Sequence, residues 1–483
     1  MKNTNKLFAL FMTLLIALPL LFSCAPATSG SQNTTGADVS TDAPPFEKTG
    51  KTYDGADYNV LLGSLAGDCF NDFKYVEEEP TVLDVAIQKK NVQVETEFDV
   101  KIVYTEKFKD SQSYTLMSQA YSSGDVSFHT AFIPGYDIVP LAYSNVLYDL
   151  KSVPYIDLSH AWWDQNANSE FEILGKVYFT TGDISIQDDL QQFCIAFNKE
   201  LFEQKGYDDI YATLKADKWT YDVLYSYAKD MTDDVNGDDK MDMQDEYGIL
   251  TWDDSIYGVF SSGGSKILNV NDGKIEMTFK GDEAVFSALV EYTEQIKNIG
   301  INYSQRWSEG AGEAAIKMFT EDRALFLLGR ISSFNSFRDM ETNYGILPYP
   351  KYSESQENYY TIISGYHANY VCTLNLEADL DMRGEITEAL AYYSSIHLTP
   401  AFQEKTLKGQ QVRDDESLIS LEIMAGSRMY DLGYLMRPGK IDAQLIYLFR
   451  DLDTTYASTF EKYTILAKND IKSANEAFAA ISQ

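Results

Sequence analysis

Few of the residues and motifs on which enzyme and nucleic-acid sites are commonly built occur in this chain. Lysine and arginine number 39 against 73 aspartate and glutamate, which gives a formal net charge of −34. Such a charge repels phosphate backbones, so we expect no nucleic-acid partner. The chain has no G-x-S-x-G, H-E-x-x-H or G-x-x-x-x-G-K-[ST] motif, and so lacks the usual signatures of a serine hydrolase, a zinc protease and a nucleotide-binding loop.

Cysteine and histidine are also scarce, with four of each. No two cysteines stand at C-x-x-C spacing, so neither a zinc knuckle nor a redox pair is indicated. Without Cys24, an odd number of cysteines remains, so at least one free thiol is expected, and all three are predicted to act as small buried residues. They are Cys69, Cys194 and Cys372. The histidines lack metal-ligand spacing and are predicted to be structural. They are His129, His160, His367 and His397.

The first residues have the pattern of a secretory signal. Lys2 and Lys6 precede an apolar run over residues 7–22, which is shorter than the roughly 20 residues that a membrane-spanning helix needs. The run ends in Leu-Phe-Ser-Cys, which resembles the bacterial lipobox, where the cysteine thiol carries the lipid. We therefore expect a signal peptide over 1–23, lipidation of Cys24 and a flexible tether to residue 50. This predicts a location on the outer face of the bacterial cell membrane, with ordinary secretion as the alternative.

The rest of the chain is large enough for two or three folded domains, with 45% hydrophobic residues overall. Its first part alternates strand and helix patterns, which predicts an α/β fold with a parallel or mixed sheet. The predicted strands are 58–62, 100–104 and 127–134, and the predicted helices are 81–98 and 113–122. Ligands of such sheets bind beyond the carboxyl ends of the strands, so Tyr136 and Asp137, just after the third strand, are candidate contacts.

A capped helix followed by an acidic loop is the most distinctive stretch of the sequence. Thr220 is a capping residue and apolar residues recur at helical spacing as far as Met231, which predicts a helix over 220–231. The next stretch, 234–245, has oxygen donors at the spacing of a calcium-binding loop, in which the seventh residue uses its backbone carbonyl. The predicted calcium ligands are Asp234, Asn236, Asp238, Lys240, Asp242 and Asp245. A solvated acidic turn is the alternative.

Short sequence motifs occur along almost the whole mature chain, and their order is similar to that of a known protein family. They include Gly-Lys-Val-Tyr at 175–178, Phe-Asn-Lys-Glu-Leu-Phe at 197–202, Arg-Ala-Leu-Phe-Leu-Leu-Gly at 323–329, Tyr-Gly-Ile-Leu-Pro-Tyr-Pro-Lys at 344–351, and a longer phrase at 407–433. Their order resembles that of the extracellular solute-binding lipoproteins of bacterial ABC importers, family 1, the group that includes maltose-binding protein.

The resemblance implies a type II periplasmic-binding-protein-like α/β fold, in which two hinge-linked lobes close on a central cleft. Lobe one would hold residues 51–190 and 361–405, and lobe two residues 191–360 and 406–483. The resemblance also implies that a monomeric protein captures a carbohydrate, with an oligosaccharide favoured, for the transmembrane subunits of an ABC permease. No enzymatic activity and no catalytic cofactor are expected, and the calcium ion would be structural.

A sugar-binding cleft needs flat aromatic faces and groups that bond hydroxyls in two directions. The resemblance indicates which residues reach the cleft: Tyr136, Asp137, Trp163, Asp183, Trp252, Ser262, Trp307, Arg330 and Tyr366. Structural alternatives are packing at a strand end for Trp252, a carboxylate partner for Arg330 and a turn cap for Asp183. Trp162 and Trp163 are adjacent and face different ways, so at most one of them is expected to serve the cleft.

Other classes of protein also fit parts of the sequence. An extracellular glycan hydrolase would use paired carboxylates about 5–10 Å apart as acid and base, and so acidic a chain supplies such pairs. A receptor for peptides or other polar solutes would share the two-lobed fold. A docking module of the dockerin type is disfavoured, because such a module carries a pair of calcium loops where this chain has one.

Overall fold

The computed structural model describes residues 48–67, 69–306, 311–337, 342–408 and 415–482. The predicted signal peptide, the predicted lipidation site Cys24 and the predicted cleft residue Trp307 lie outside the described residues. Within these ranges, no helix combines the length and the apolar composition needed to cross a membrane.

Strands and helices alternate along most of the chain. The strands are β1 Ala56–Gly63, β2 Val100–Lys107, β3 Thr130–Pro134, β4 Glu172–Ile173, β5 Lys176–Val177, β6 Phe193–Asn198, β7 Tyr247–Thr251, β8 Leu268–Asn271, β9 Lys274–Met277, β10 Gly300–Asn302, β11 Ala324–Arg330, β12 Tyr344–Leu347, β13 Thr361–Ile362, β14 Asn369–Cys372 and β15 Arg428–Met429.

The helices cover the faces of the sheets and form the C-terminal part of the chain. They are α1 Val82–Phe98, α2 Gln112–Ser123, α3 Gly135–Tyr143, α4 Gln165–Glu170, α5 Gln187–Leu190, α6 Lys199–Lys205, α7 Ile210–Lys215, α8 Tyr221–Ala228, α9 Ser255–Ser262, α10 Glu283–Ile299, α11 Tyr303–Arg306, α12 Ala311–Thr320, α13 Leu380–Lys408, α14 Asp415–Gly426, α15 Leu432–Met436, α16 Ile441–Arg450 and α17 Tyr456–Ile481. Short 3₁₀ helices occur at Leu150–Ser152, Ile331–Phe337 and Pro438–Lys440.

Two sheets organise the fold. The first has the order β14-β3-β1-β2, in which β1 runs parallel to β2 and β3 and antiparallel β14 closes one edge. The second has the order β10-β7-β11-β6-β12, in which β10, β7 and β11 are parallel to one another and β6 is antiparallel to β11. Every residue of the inner strand β6, which lies between β11 and β12, is buried, as expected when both faces of a sheet are covered. This confirms the predicted α/β class, whereas the predicted lobe boundaries stay a prediction.

Short-range signals account for several helices. Thr81 caps α1 in a capping box, in which its hydroxyl accepts from the Asp84 N–H and the Asp84 carboxylate accepts from the Thr81 N–H. The predicted helix over 220–231 forms as α8 but ends at Ala228, and the Thr220 side chain makes no capping hydrogen bond. It ends early because the following residues turn into the pairing of Asp233 with Glu246.

Three extended segments lie side by side where the chain passes between the sheets, and we call them the junction: residues 191–192, 361–364 and 427–429. Ile363 N–H donates to Met429 O at 3.1 Å and Ser364 N–H donates to Gln191 O at 3.0 Å. The Gln192 side-chain amide donates to Thr361 Oγ1 at 2.5 Å. Backbone and side-chain hydrogen bonds therefore link all three segments.

The cysteines follow the sequence prediction in part. Among the described residues, Cys69, Cys194 and Cys372 form no disulfide. Cys194 and Cys372 are fully buried within the two sheets, whereas Cys69 is only half-buried. Burial raises the pKa of the Cys194 and Cys372 thiols, so both are protonated, unreactive core residues.

Candidate functional site

Three tyrosine rings meet at the end of the first sheet. Tyr136 follows β3, and its ring centre lies 5.5 Å from that of Tyr366 and 5.9 Å from that of Tyr434, both in edge-to-face contact. The guanidinium carbon of Arg437 lies 4.1 Å from the Tyr136 ring centre, a cation–π contact. Tyr136 and Tyr366 are half-buried. We call Tyr136, Tyr366 and Tyr434 the tyrosine cluster.

A close backbone approach positions the tyrosine cluster. A Cβ atom at Gly135 would lie 2.5 Å from the carbonyl oxygen of Gly365, so only glycine lets the start of α3 touch this loop. The Gly135 N–H donates to Ala368 O at 3.1 Å, and the Tyr366 hydroxyl donates to Leu65 O at 2.8 Å. The carboxyl ends of β1 and β3 therefore meet the loop between the junction and β14, the kind of place where α/β sheets bind ligands.

A second group of side chains lies at the carboxyl ends of the parallel strands of the second sheet. Trp252 directly follows β7, and its ring centre is 4.7 Å from that of Tyr303, which directly follows β10. Arg330 ends β11 and donates from Nη1 to Asp254 Oδ2 at 2.8 Å. Because β10, β7 and β11 are parallel neighbours, these residues share one edge of the sheet. We call Trp252, Asp254, Tyr303 and Arg330 the Trp–Arg cluster.

The Trp–Arg cluster is partly shielded from water. Burial raises the pKa of Asp254, although the Arg330 charge opposes the shift. Burial also raises the pKa of Tyr303, so its phenol stays neutral and can donate a hydrogen bond. Nε of Arg330 is buried and has no hydrogen-bond partner among the described residues, so this guanidinium retains an unused donor.

The two clusters share one electrostatic environment. Burial lowers the pKa of His367 well below its usual value, and the Arg330 charge adds to the effect. Burial raises the pKa of Tyr434, and the Asp254 carboxylate adds to that shift. His367 also contacts the tyrosine cluster, because its ring centre is 4.8 Å from that of Tyr366. We therefore treat the tyrosine cluster and the Trp–Arg cluster as one candidate site.

Charges at this site are matched by ion pairs. The pairs are Arg330 with Asp254 at 2.8 Å, Arg437 with Asp442 at 2.8 Å and Arg450 with Asp253 at 2.5 Å. Each pair is charge-neutral as a whole, yet its guanidinium and carboxylate can still bond hydroxyl groups. Such an arrangement suits a neutral solute that both donates and accepts hydrogen bonds.

Several predicted cleft residues belong to this site. Tyr136 and Tyr366 stand in the tyrosine cluster, and Trp252 and Arg330 stand in the Trp–Arg cluster. Trp252 packs on Tyr303 at the end of β7, and Arg330 binds the carboxylate of Asp254, so both residues also have the structural contacts that the sequence offered as alternatives. Their part in solute binding stays a prediction.

Trp163 and Ser262 require correction, because the structure places both in the core. Trp163 is 1% exposed and donates from its indole N–H to Glu388 Oε2 at 2.9 Å. The adjacent Trp162 donates to the other oxygen of the same carboxylate at 2.9 Å, so both indoles are fixed inside the protein. Ser262 is 0% exposed and donates to Val259 O at 3.0 Å.

The two predicted aspartates have structural partners. Asp137 accepts at 2.9 Å from Oγ of Ser111, a residue outside the tyrosine cluster, and burial raises its pKa. Asp183 accepts from Thr399 Oγ1 at 2.7 Å, and burial raises its pKa to about 7. A role for either carboxylate in solute binding stays a prediction.

The sequence prediction missed several members of the site. Tyr303 directly follows β10 and Asp254 comes three residues after the end of β7, so the strand-end rule that indicates Tyr136 and Asp137 could also have indicated them. His367 is adjacent to the predicted Tyr366, but the sequence alone predicts a structural role for it. Tyr434 and Arg437 come from the C-terminal part of the chain, where no local pattern indicates a contact with Tyr136.

The acidic loop has an ordered backbone. Asp234 accepts from the Gly237 N–H at 2.7 Å and from the Asp239 N–H at 2.8 Å. Asp239 has a φ of 62°, a conformation that aspartate tolerates better than most residues. Asp245 is 0% exposed and its Oδ2 accepts from the Asp242 N–H at 2.7 Å. Its Oδ1 is buried and has no hydrogen-bond partner among the residues that the structure describes.

Metal binding at this loop stays a prediction. In the part of the chain that the structure describes, no three His, Cys, Asp or Glu side chains are already arranged to hold a metal ion. The loop oxygens instead accept backbone N–H groups, as in Lys240 N–H to Asp238 Oδ1 at 2.9 Å and Gln244 N–H to Asp242 Oδ1 at 2.8 Å.

Solved structures match the chain over most of its length, although no protein-family profile and no curated protein sequence matches it. A cyclo/maltodextrin-binding protein complexed with maltotetraose has a TM-score of 0.58 at 12% identity, covering 87% of this chain and 98% of its own. A maltose-binding periplasmic protein from Listeria monocytogenes in complex with maltose has a TM-score of 0.56 at 13% identity, covering 87% and 99%. An ABC transporter solute-binding protein from Thermotoga lettingae bound with α-D-tagatose has a TM-score of 0.55 at 16% identity, covering 87% and 100%.

These likenesses define the class of fold. The chain has the two-lobed α/β fold of periplasmic binding proteins, which confirms the fold that the order of sequence phrases implied. Within that fold, the candidate site lies at the carboxyl ends of strands from both sheets.

Proposed function

We propose that this protein captures a carbohydrate, with an oligosaccharide favoured, for an ABC importer. The proposal rests on the candidate site, which combines aromatic rings with charge-matched polar groups. Aromatic faces stack on the apolar side of a sugar ring, while phenols and paired guanidinium groups bond its hydroxyls. Solved structures of the same fold support the proposal, because their ligands are maltotetraose, maltose and α-D-tagatose. A peptide or another polar solute is the alternative ligand.

Binding without turnover is part of the proposal. A glycan hydrolase needs one carboxyl group to donate a proton and a second to attack the sugar or activate water. The neighbouring carboxylates Asp253 and Asp254 are each held by an arginine, Arg450 and Arg330, at 2.5 and 2.8 Å. These ion pairs favour a binding role over acid–base catalysis.

The location and the partners follow from the same proposal. A lipid on Cys24 would anchor the protein outside the cytoplasm, and the tether to residue 50 would let a monomer meet the transmembrane subunits of an ABC permease. Cell fractionation of wild type and Cys24→Ala tests the anchor, because only the wild type should remain with the membranes. A variant that still sediments fully with membranes contradicts lipidation.

Titration calorimetry with mono- and oligosaccharides tests carbohydrate binding. Trp252→Ala should weaken the binding of a saccharide by about 1–3 kcal/mol, because it removes a half-buried aromatic contact. Tyr104→Ala is the matched control, since Tyr104 is 37% exposed on β2, outside the candidate site. The saccharide should be recovered intact, and release of shorter products would instead favour the hydrolase.

We also propose that the acidic loop binds a structural calcium ion. The specific support is Asp245, whose buried Oδ1 has no hydrogen-bond partner in the described part of the chain, because a buried carboxylate oxygen without a partner is costly. Asp245 is the twelfth position of the predicted loop, and a calcium loop takes a carboxylate ligand from that position. The ion would connect the end of α8 to the start of β7 and stiffen lobe two beside Trp252.

Calcium titration of two isosteric variants tests this second proposal. Asp245→Asn should abolish or strongly weaken calcium binding and remove the calcium-dependent rise in the melting temperature. Asp239→Asn removes the same charge from the same loop at a position not predicted to be a ligand, and it should keep calcium binding. If wild type gives no heat and no stabilisation at millimolar calcium, the loop is an acidic turn.

A further inference from the structure

His367 stands between the two clusters of the candidate site. It lies in the loop between the junction and β14, and its ring meets that of Tyr366 edge-to-face with the ring centres 4.8 Å apart. The Arg330 charge acts on it from the edge of the second sheet. His367 therefore belongs to the tyrosine cluster by contact and is linked to the Trp–Arg cluster by the Arg330 charge.

The described residues bond only one nitrogen of the His367 ring. Nδ1 lies 3.0 Å from Ser364 Oγ, and the same oxygen accepts from the His367 backbone N–H at 3.4 Å. Across the residues that the structure covers, Nε2 has no hydrogen-bond partner, although the side chain is half-buried. A polar atom that is partly withdrawn from water and unbonded gains free energy when a ligand supplies its missing hydrogen bond.

The charge state and the tautomer of the His367 imidazole determine which ligand groups Nε2 can bond. The groups that act on the imidazole are the Arg330 guanidinium from β11 and the Tyr366 ring from its own loop. Beside a positive charge and away from water, the imidazole is neutral, so Nε2 presents either a lone pair or an N–H according to the tautomer. A sugar hydroxyl both accepts and donates, so it can bond either form.

We infer that His367 Nε2 forms a hydrogen bond with a hydroxyl group of the bound solute and thereby helps determine which sugar the site accepts. This inference rests on the proposed carbohydrate-binding function and adds a specificity-determining residue to it. It assigns a binding role to a histidine for which the sequence alone predicts a structural one.

Two substitutions by amide side chains test the roles of the two ring nitrogens of His367 separately. In His367→Asn the shorter amide can replace Nδ1 and keep the Ser364 contact, but it does not extend to the position of Nε2. In His367→Gln the longer amide can reach the position of Nε2 and bond the solute. By calorimetry with maltose, maltotetraose and tagatose, we expect the asparagine variant to lose about tenfold in affinity for whichever sugar binds wild type. The glutamine variant should stay within about threefold of wild type.

The controls distinguish this inference from the function on which it rests. His397→Asn, on α13 beside Gln93, should bind like wild type, and the melting temperatures of the unliganded variants report on folding. An asparagine variant with unchanged affinity, or an equal loss in both His367 variants, would overturn the inference. If wild type itself binds no saccharide, the proposed function fails, and the inference fails with it.

Discussion

Replacing Arg330 with methionine should destabilise the protein more at neutral than at acidic pH. The side chains of Arg330 and Asp254 are 17% and 16% exposed and lie 2.8 Å apart. Removing one partner of a fully buried ion pair costs about 3–5 kcal/mol. Because water still reaches both side chains, we reduce the expected loss in unfolding free energy at neutral pH to about 2–3 kcal/mol.

The pH dependence follows from the carboxyl group that remains. Burial already raises the pKa of Asp254 above its unfolded value, and Arg330 opposes that shift. Without the guanidinium the pKa rises further. A carboxyl group whose pKa is higher in the folded than in the unfolded protein costs no stability at pH values below its unfolded pKa, near 3.9. It lowers the unfolding free energy as the pH rises from there through the folded pKa. The deficit of Arg330→Met should therefore be small near pH 4 and largest at neutral pH.

Urea unfolding at pH 4.5 and pH 7.5 measures this difference. The double variant Arg330→Met, Asp254→Asn removes both charges and should recover most of the stability that the single variant loses at pH 7.5. The reasoning is refuted if the single variant loses the same stability at both pH values, or if the double variant is as unstable as the single one.

Three further outcomes are expected. Gly135→Ala should lower the unfolding free energy, measured by urea unfolding, by more than about 1 kcal/mol, because the added Cβ would lie 2.5 Å from Gly365 O. Gly426→Ala is the control and should be neutral or stabilising, because the described residues place nothing within 4 Å of its added Cβ. Glu388→Gln should lower the melting temperature and change the near-ultraviolet circular dichroism, because the amide cannot accept from both indoles; an unchanged spectrum contradicts this. The stability of Asp183→Asn relative to wild type should rise as the pH rises from 4 to about 7, because burial raises the pKa of Asp183 in the folded protein to about 7. A difference in stability that does not change with pH would contradict this explanation.

Local elements could be predicted because their causes are local. The cap at Thr81 and the apolar face of α10 can be recognised from a few neighbouring residues, and Val285, Leu289 and Ile296 are all buried as their spacing predicts. The end of α8 could not be predicted, because the pairing of Asp233 with Glu246 depends on how the intervening loop closes.

The candidate site could be predicted only where strand ends indicate it. Trp252 and Arg330 lie at the carboxyl ends of strands, and this position is visible in the sequence. The buried position of Trp163 has no local signal, because it depends on the carboxylate of Glu388, 225 residues away, which accepts from the indole N–H. Tyr434 reaches Tyr136 only through the tertiary fold.

The junction limits the ways in which the two lobes can move. Its three segments are hydrogen-bonded side by side, through Ile363 to Met429 and through Ser364 to Gln191. Sliding one of these segments along another would break the bonds, whereas bending or twisting the three together with small changes in backbone dihedrals would keep them. Opening and closing should therefore keep the three segments in register, so each closure should return both halves of the site to the same relative position. A solute then orders few additional degrees of freedom when it binds, and more of its contact energy remains as affinity.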